Sequence, residues 1–334
     1  MTKRCTTFDT LLDEHRVLVA DGAMGTTLFS LGLEGGGCPE LLNVVQPDLV
    51  EKVHRAFIDA GADIVLTNTF GGNARRLALH DLQDRVVELN TAAVERARLA
   101  VEQADRPVAI AGSIGPTGDL FEPLGPLSHA AGVEVFSEQA AALVEAGADV
   151  LWIETISSWE ELNAAVEAAS AFDIPVAATL SFDTNGRTMM GISGSEVGAW
   201  WEGRALKPAA MGANCGIGPG DAVSAVLDIT AAAPGVAGIT KANCGMPLYD
   251  TDRLVYPVGP ERMAEYVDLA VRSGARIIGA CCGSTPDHVA AIREAVDAGV
   301  TGERPDHTEI EIRLDATPLA AAPAARRNRR RSAS

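Results

Sequence analysis

Two cysteines stand side by side in GARIIGACCGSTPDH, a stretch that begins at Gly274. Cys281 and Cys282 close an apolar run, and a helix-starting signal follows at once. Adjacent cysteines are poorly placed to bridge each other, because disulfide geometry needs a wider separation. Two neighbouring thiolates can instead bind one ion where the chain turns sharply, and Gly283 permits such a turn. A third cysteine, Cys215, closes another apolar run in GANCG. Three thiolates with one open position make a catalytic rather than a structural Zn²⁺ site. Such a site carries a net charge of about −1, which makes it a weak water activator and a good holder of a fourth sulfur. The ligand types therefore favour chemistry at a substrate thiol over hydrolysis. Without a metal, the same pair would be two small buried residues, as free cysteines commonly are.

Cys244 closes a further apolar run in KANCGMP and has two readings. It is either a fourth thiolate, which would close the site, or a spare thiol packed nearby, which leaves room for substrate. Cys5 and Cys38 read as loop bystanders, and His54, His80 and His129 as packing or surface residues.

The elements that must bring these thiols together follow from a repeat. AFIDAGADIVLTNTF from Ala56, ALVEAGADVLWIETI from Ala142 and LAVRSGARIIGACCG from Leu269 each read as a helix end, a Gly turn and a buried strand. Gly61, Gly147 and Gly274 fall where helix C-caps belong. The strands are near-continuous apolar runs, as expected when both faces are covered. Eight such strands, starting near residues 17, 63, 108, 149, 175, 209, 236 and 276, fit a single (β/α)8 TIM barrel. The rival, an open doubly wound sheet, lacks a GxGxxG fingerprint after its first strand. Barrel active sites sit at the C-terminal ends of the strands. There the sequence places Asp21, Asn68–Phe70, Glu154–Thr155, Asp183, Asn214, Asn243 and the cysteines, so polar groups converge on one rim.

Composition narrows the partners. The net charge is −18, which repels phosphate backbones and argues against nucleic acid. No apolar run approaches a membrane span, and the start MTKRCTTFDTLLDEHR lacks a secretory h-region, so a cytoplasmic protein is expected. Residues 316–334 end in AAAPAARRNRRRSAS and are expected to be disordered. Their arginines read as a solvated tail before they read as a contact for acidic surfaces.

In this order, DGAMGT, TNTFGGN, GSIGPTG, ETI, GANCG, KANCGMP and GACCGSTPDH resemble the homocysteine S-methyltransferase family over residues 10–300. That resemblance implies a zinc-dependent (β/α)8 barrel that moves a methyl group onto the sulfur of L-homocysteine, giving L-methionine. It implies one Zn²⁺ held by Cys215, Cys281 and Cys282. It also assigns the substrate amino group to Asp21 and Glu154, and its carboxylate to the backbone of Gly22, Ala23 and Met24. Asn243 matches an asparagine that approaches the metal in the absence of substrate, although the motif here reads NCG where NAG is usual. The overall look is most similar to bacterial betaine–homocysteine methyltransferases. A quaternary ammonium is held by aromatic faces, and Phe70 is the first candidate for that role, ahead of Phe121 and Phe182. S-methylmethionine, or a methylcorrinoid on a separate protein, is the alternative donor, since no DxHxxG motif is present. A non-enzymatic zinc or redox-sensing barrel is the alternative of another class and rests on Cys244. Neither nucleic acid nor membrane is expected as a partner; a homo-oligomer is left open.

Overall fold

The computed structural model describes residues 5–250 and 253–316. Eight parallel strands form its centre: β1 (Leu18–Val19), β2 (Ile64–Leu66), β3 (Ala109–Ile114), β4 (Val150–Ile156), β5 (Val176–Leu180), β6 (Ala210–Cys215), β7 (Ala237–Ala242) and β8 (Ala275–Ala280). They pair in the order β1-β8-β7-β6-β5-β4-β3-β2. A bridge between Ala20 and Ile64 joins the first strand to the second. The ring is closed there by Asp63 N–H to Val19 O (2.7 Å) and Asp21 N–H to Ile64 O (3.0 Å). This is the expected (β/α)8 barrel, with all eight strands where the apolar runs put them.

Two packed regions hold it. Inside the ring, Leu18, Ile64, Trp152, Ala210, Ile239 and Ile277 fill the space between the strands. Trp152 is fully buried, and its indole N–H donates to Thr179 Oγ1 at 3.4 Å, so the large ring adds no unpaired donor. Outside the ring, amphipathic helices cover the strands. The helix Pro47–Asp59 buries Val50, Val53 and Phe57, an apolar stripe at helical spacing. Gly61, Gly147 and Gly274 end their helices with φ of 105°, 99° and 96°, a left-handed turn that side chains resist.

A helix packs on the barrel from either end of the described residues. The helix Thr7–Glu14 carries the fully buried Phe8 into the bottom of the ring, capped by Thr6 and Asp9 in a reciprocal box. The helix His307–Leu314 buries Ile310 and packs against the helices Pro219–Ala232 and Pro260–Arg272. Both are short and mostly polar in sequence, so their one apolar face was easily overlooked. An antiparallel hairpin, Leu248–Asp250 with Arg253–Val255, was also not anticipated. Ala316 is buried, and the rest of the arginine-bearing tail lies outside the described residues. Among the described residues, no helix is long and apolar enough to cross a membrane.

Candidate active site

Strand register explains why distant cysteines meet. Cys215 pairs opposite Ala242, and Ala242 pairs opposite Ala280. Cys281 and Cys282 therefore leave β8 at the height where Cys215 ends β6. The three sulfurs lie within 4.8 Å of one another, with Cys215 Sγ 3.9 Å from Cys282 Sγ. A tetrahedral ion with sulfur bonds of about 2.3 Å separates its sulfurs by about 3.8 Å, so this triangle fits zinc.

The two cysteine loops are fastened to each other. Asn243 Oδ1 accepts the Cys282 N–H at 3.0 Å, while Asn243 Nδ2 donates to Gly216 O at 2.6 Å. Cys281 N–H reaches Ala242 O at 2.7 Å. Cys215 itself has φ of 60°, in the left-handed region that costs an L-residue roughly 1–2 kcal/mol. After the pair, Gly283 turns with φ of 83°, and a Cβ there would lie 2.0 Å from Tyr256 Cγ.

Protonation shows what this donor set calls for. The Cys215 thiol is pulled down to about 3, because Cys281 and then Cys282 donate hydrogen bonds to its thiolate. The Cys281 thiol is pushed up to about 12 by its hydrogen bond to Cys215, and Cys282 is raised by its bonds to Cys215 and Cys281. One sulfur ionises readily, and the crowding then holds the other two protons. A cation between them removes that conflict, and three thiolates suit a soft or borderline divalent metal.

Beside the sulfurs lies a buried polar floor. Asp21 and Lys241 are 1% and 2% exposed, and Lys241 Nζ donates to Asp21 Oδ1 at 2.6 Å and to Asp21 O at 2.8 Å. Asp21 Oδ2 accepts the Leu66 N–H at 2.8 Å. Burial alone would depress the Lys241 ammonium, but the Asp21 carboxylate first, and Cys281 and Glu154 when they ionise, hold it above its ordinary value. Glu154 accepts the Ser113 hydroxyl at 2.5 Å and Asn214 Nδ2 at 3.4 Å. Burial above all, with Cys281 adding to it when ionised, pushes its carboxyl up to about 7. Asn214 also ties β6 to β4, because its Oδ1 accepts the N–H of Thr155, a β-branched residue at φ of 62°.

These groups open into a cavity of about 300 Å³ at the C-terminal ends of the strands. Of the residues expected at the site, Asp21, Gly22, Ala23, Met24, Phe70, Glu154, Cys215, Cys281 and Cys282 line it. The Ala23 N–H is already engaged, donating to Ser284 Oγ at 2.9 Å. Asn243 does not line the cavity; its side chain is spent on the two cysteine loops. Cys244 is fully buried outside the three-sulfur cluster, and burial raises its thiol to about 12. Phe121 and Phe182 are buried in the core, where the neighbouring helices need them, and do not face the cavity. Asp183 is exposed on the rim. A larger hollow of about 500 Å³ near Phe121, His129 and Glu167 has no thiol.

Sequence reasoning missed several lining residues, among them Lys241, Phe29 and Glu40. Lys241 interrupts an apolar strand, which was its signal. Phe29 and Glu40 lie between β1 and β2, in segments with no repeat to place them. Cys38, taken for a bystander, donates its S–H to Glu40 Oε2 at 3.3 Å.

Comparison with known proteins agrees with this geometry. The family model described as homocysteine S-methyltransferase matches residues 18–296. The chain is 34% identical over 313 residues to a methionine synthase of Mycobacterium tuberculosis, covering 86% of this chain and 26% of that protein. It is 32% identical over 303 residues to a methionine synthase of Mycobacterium leprae, covering 84% and 24%. The chain thus spans about a quarter of the length of these curated relatives. Among solved structures it is similar to the metallated form of the homocysteine methyltransferase MmuM from Escherichia coli. That match has a TM-score of 0.73 at 25% identity, covering 86% of this chain and 99% of that one. The oxidized form of the same protein matches with a TM-score of 0.69 at 26% identity.

Proposed function

The chain belongs to the homocysteine S-methyltransferase family, and from that premise we propose that it methylates the sulfur of L-homocysteine to give L-methionine, with betaine as donor and one Zn²⁺ at Cys215, Cys281 and Cys282. The observation that carries this reading is the meeting of three sulfurs from β6 and β8 at one wall of an acid-floored cavity. Zinc, when bound there, supplies a Lewis acid that stabilises a substrate thiol as thiolate at neutral pH.

The chain's own residues do the positioning. Glu154 lines the cavity with a carboxylate destabilised by burial, and an incoming ammonium group relieves that cost. Asp21 lines the same wall with both oxygens engaged, by Lys241 and by the Leu66 N–H, which leaves Glu154 as the first carboxylate for the ammonium. The backbone of Gly22–Met24 lines the same wall for the substrate carboxylate. Phe70 and Phe29 stand at the mouth, where their ring faces suit the quaternary ammonium of betaine. Substrate sulfur then attacks a donor methyl in line. A sulfur–carbon bond forms, a carbon–nitrogen bond breaks, and the electron pair leaves with neutral dimethylglycine nitrogen. No general base is required at the methyl. Holding both substrates in one cavity supplies much of the acceleration through proximity.

Cys244 outside the cluster bears on the rival sensor reading, because a closed four-sulfur site is not what the described residues form. The likeness to a quarter of two methionine synthases favours, as the second reading, a methyl donor carried by a separate corrinoid protein. In either reading the enzyme works in the cytoplasm, where free thiols stay reduced.

The test is to supply purified protein with homocysteine plus betaine, S-methylmethionine or methylcobalamin, one at a time, and to measure methionine and bound metal. The expected result is methionine from betaine and one zinc per chain, both lost in Cys281→Ala while the barrel stays folded. Turnover by a zinc-free Cys281→Ala protein, or no methionine from any donor, overturns the reading.

A further inference from the structure

The cleft does not end at the sulfurs. A second chamber of about 260 Å³ shares Phe29, Pro39, Glu40 and Phe70 with the first and reaches Arg76 and His80. Phe29 and Phe70 are 45% and 37% exposed, so two large rings stand in the cleft where the core does not need them. Glu40 is only 5% exposed, and it is fixed: Oε1 accepts the Gly71 N–H at 2.6 Å and Oε2 the Cys38 S–H. Two aromatic faces and a rigid carboxylate around one space favour a cation.

Arg76 lies at the other end. Its neighbour Arg75 pairs with Asp119 at 3.3 Å, but the Arg76 guanidinium has no ion pair or hydrogen bond among the described residues. It is half-buried and lies along Gly118, where a Cβ would come within 3.2 Å of Nη1. An arginine held against bare backbone, without a partner and facing a cavity, is free to take an anion. Its planar fork matches a carboxylate in two-bond geometry.

We propose that the outer chamber is a receptor for a zwitterionic methyl donor, with the onium between Phe29, Phe70 and Glu40 and the carboxylate on Arg76. This rests on the onium-donor reading above and deepens it. Arg76 is a specificity-determining residue that separates donors carrying a carboxylate from purely cationic ones. A site that presents a charged partner rejects a ligand lacking it more strongly than an apolar wall rejects a missing methylene.

The experiment uses the full-length, zinc-loaded protein and its Arg76→Gln and Arg76→Lys variants. Calorimetry measures binding of betaine, and of tetramethylammonium as a probe with no carboxylate; thermal melting checks that each variant is folded. The expected result is betaine affinity weakened at least tenfold in Arg76→Gln and partly restored in Arg76→Lys. Tetramethylammonium and homocysteine binding should stay within twofold. In turnover, the KM for betaine rises while kcat is kept. Equal betaine affinity in wild type and Arg76→Gln overturns the proposal. So does equal weakening of tetramethylammonium, or a wild type that does not bind betaine. A wild type that binds betaine through Arg76 yet makes no methionine keeps the receptor and removes the methyl-transfer reading. Betaine turnover unaffected by Arg76→Gln does the reverse.

Discussion

Replacing Lys241 by Met tests how the polar floor is held. Lys241 and Asp21 are both almost fully buried and meet at 2.6 Å, and Asp21 also takes the Leu66 N–H. Methionine fills the volume of the lysine stem and removes the charge. Asp21 is then left as a buried carboxylate with one backbone donor. Breaking one side of a buried pair costs about 3–5 kcal/mol, because the remaining charge has no compensation. At about 2.1 cal/mol/K per residue, unfolding entropy for this chain is roughly 0.7 kcal/mol/K, so a loss of about 4 kcal/mol lowers Tm by about 6 °C. The double variant Asp21→Asn, Lys241→Met removes the stranded charge and should recover at least about 2 kcal/mol, as coupled neighbours do. Denaturant unfolding of wild type, both single variants and the double variant completes the cycle. A Lys241→Met loss below about 1 kcal/mol, or a double variant no more stable than the single, refutes the reasoning.

His54 is fully buried, neither ring nitrogen has a partner among the described residues, and burial lowers it from 6.5 to about 4. The unfolded chain therefore takes the proton first, so this contribution is complete above pH 6.5 and is lost as pH falls towards 4. The gap is worth roughly 3 kcal/mol, and urea midpoints from pH 4 to 7 should show a flatter acid limb in His54→Leu. Glu154→Gln should raise the KM for homocysteine about ten- to a hundredfold with the barrel intact, the loss of one charged hydrogen bond; an unchanged KM would remove Glu154 from the substrate site. Gly283→Ala combines a left-handed φ with a contact of 2.0 Å to Tyr256 Cγ. Metal analysis should show well under one zinc per chain and a lowered Tm, and full zinc at unchanged Tm would contradict the assigned turn.

The barrel was legible because its strands are covered on both faces and so leave near-continuous apolar runs, three of them preceded by a glycine, Gly61, Gly147 or Gly274, that turns left-handed. The three cysteines stood out because they close apolar runs, although Cys244 closes one too and stays buried outside the cluster. Their convergence needed the register, since only pairing through Ala242 puts Cys215 level with β8. Lys241 was visible as a charge in an apolar strand, but its partner lies 220 positions away. Phe29 and Glu40 belong to short helical pieces between β1 and β2, Met24–Ser30 and Pro39–Leu41, which are too brief for periodicity to place. Phe121 and Phe182 show the opposite case, aromatic residues near strand ends that the core claims.

β1 is only two residues long, and a single bridge carries the ring from it to β2. Just beyond that weak join, the Asp21 side chain ties the first strand's end to Leu66 on one side and to Lys241 across the ring. One carboxylate thus stands in for the backbone ladder that a longer strand would have provided. Chemistry at position 21 is consequently locked to the integrity of the cylinder, whereas Phe29 and Arg76 sit on short helices and Phe70 on a turn, all outside the strands. Those three side chains are exposed or half-buried, so substitutions there are expected to leave the cylinder intact, a freedom that the seam denies to Asp21.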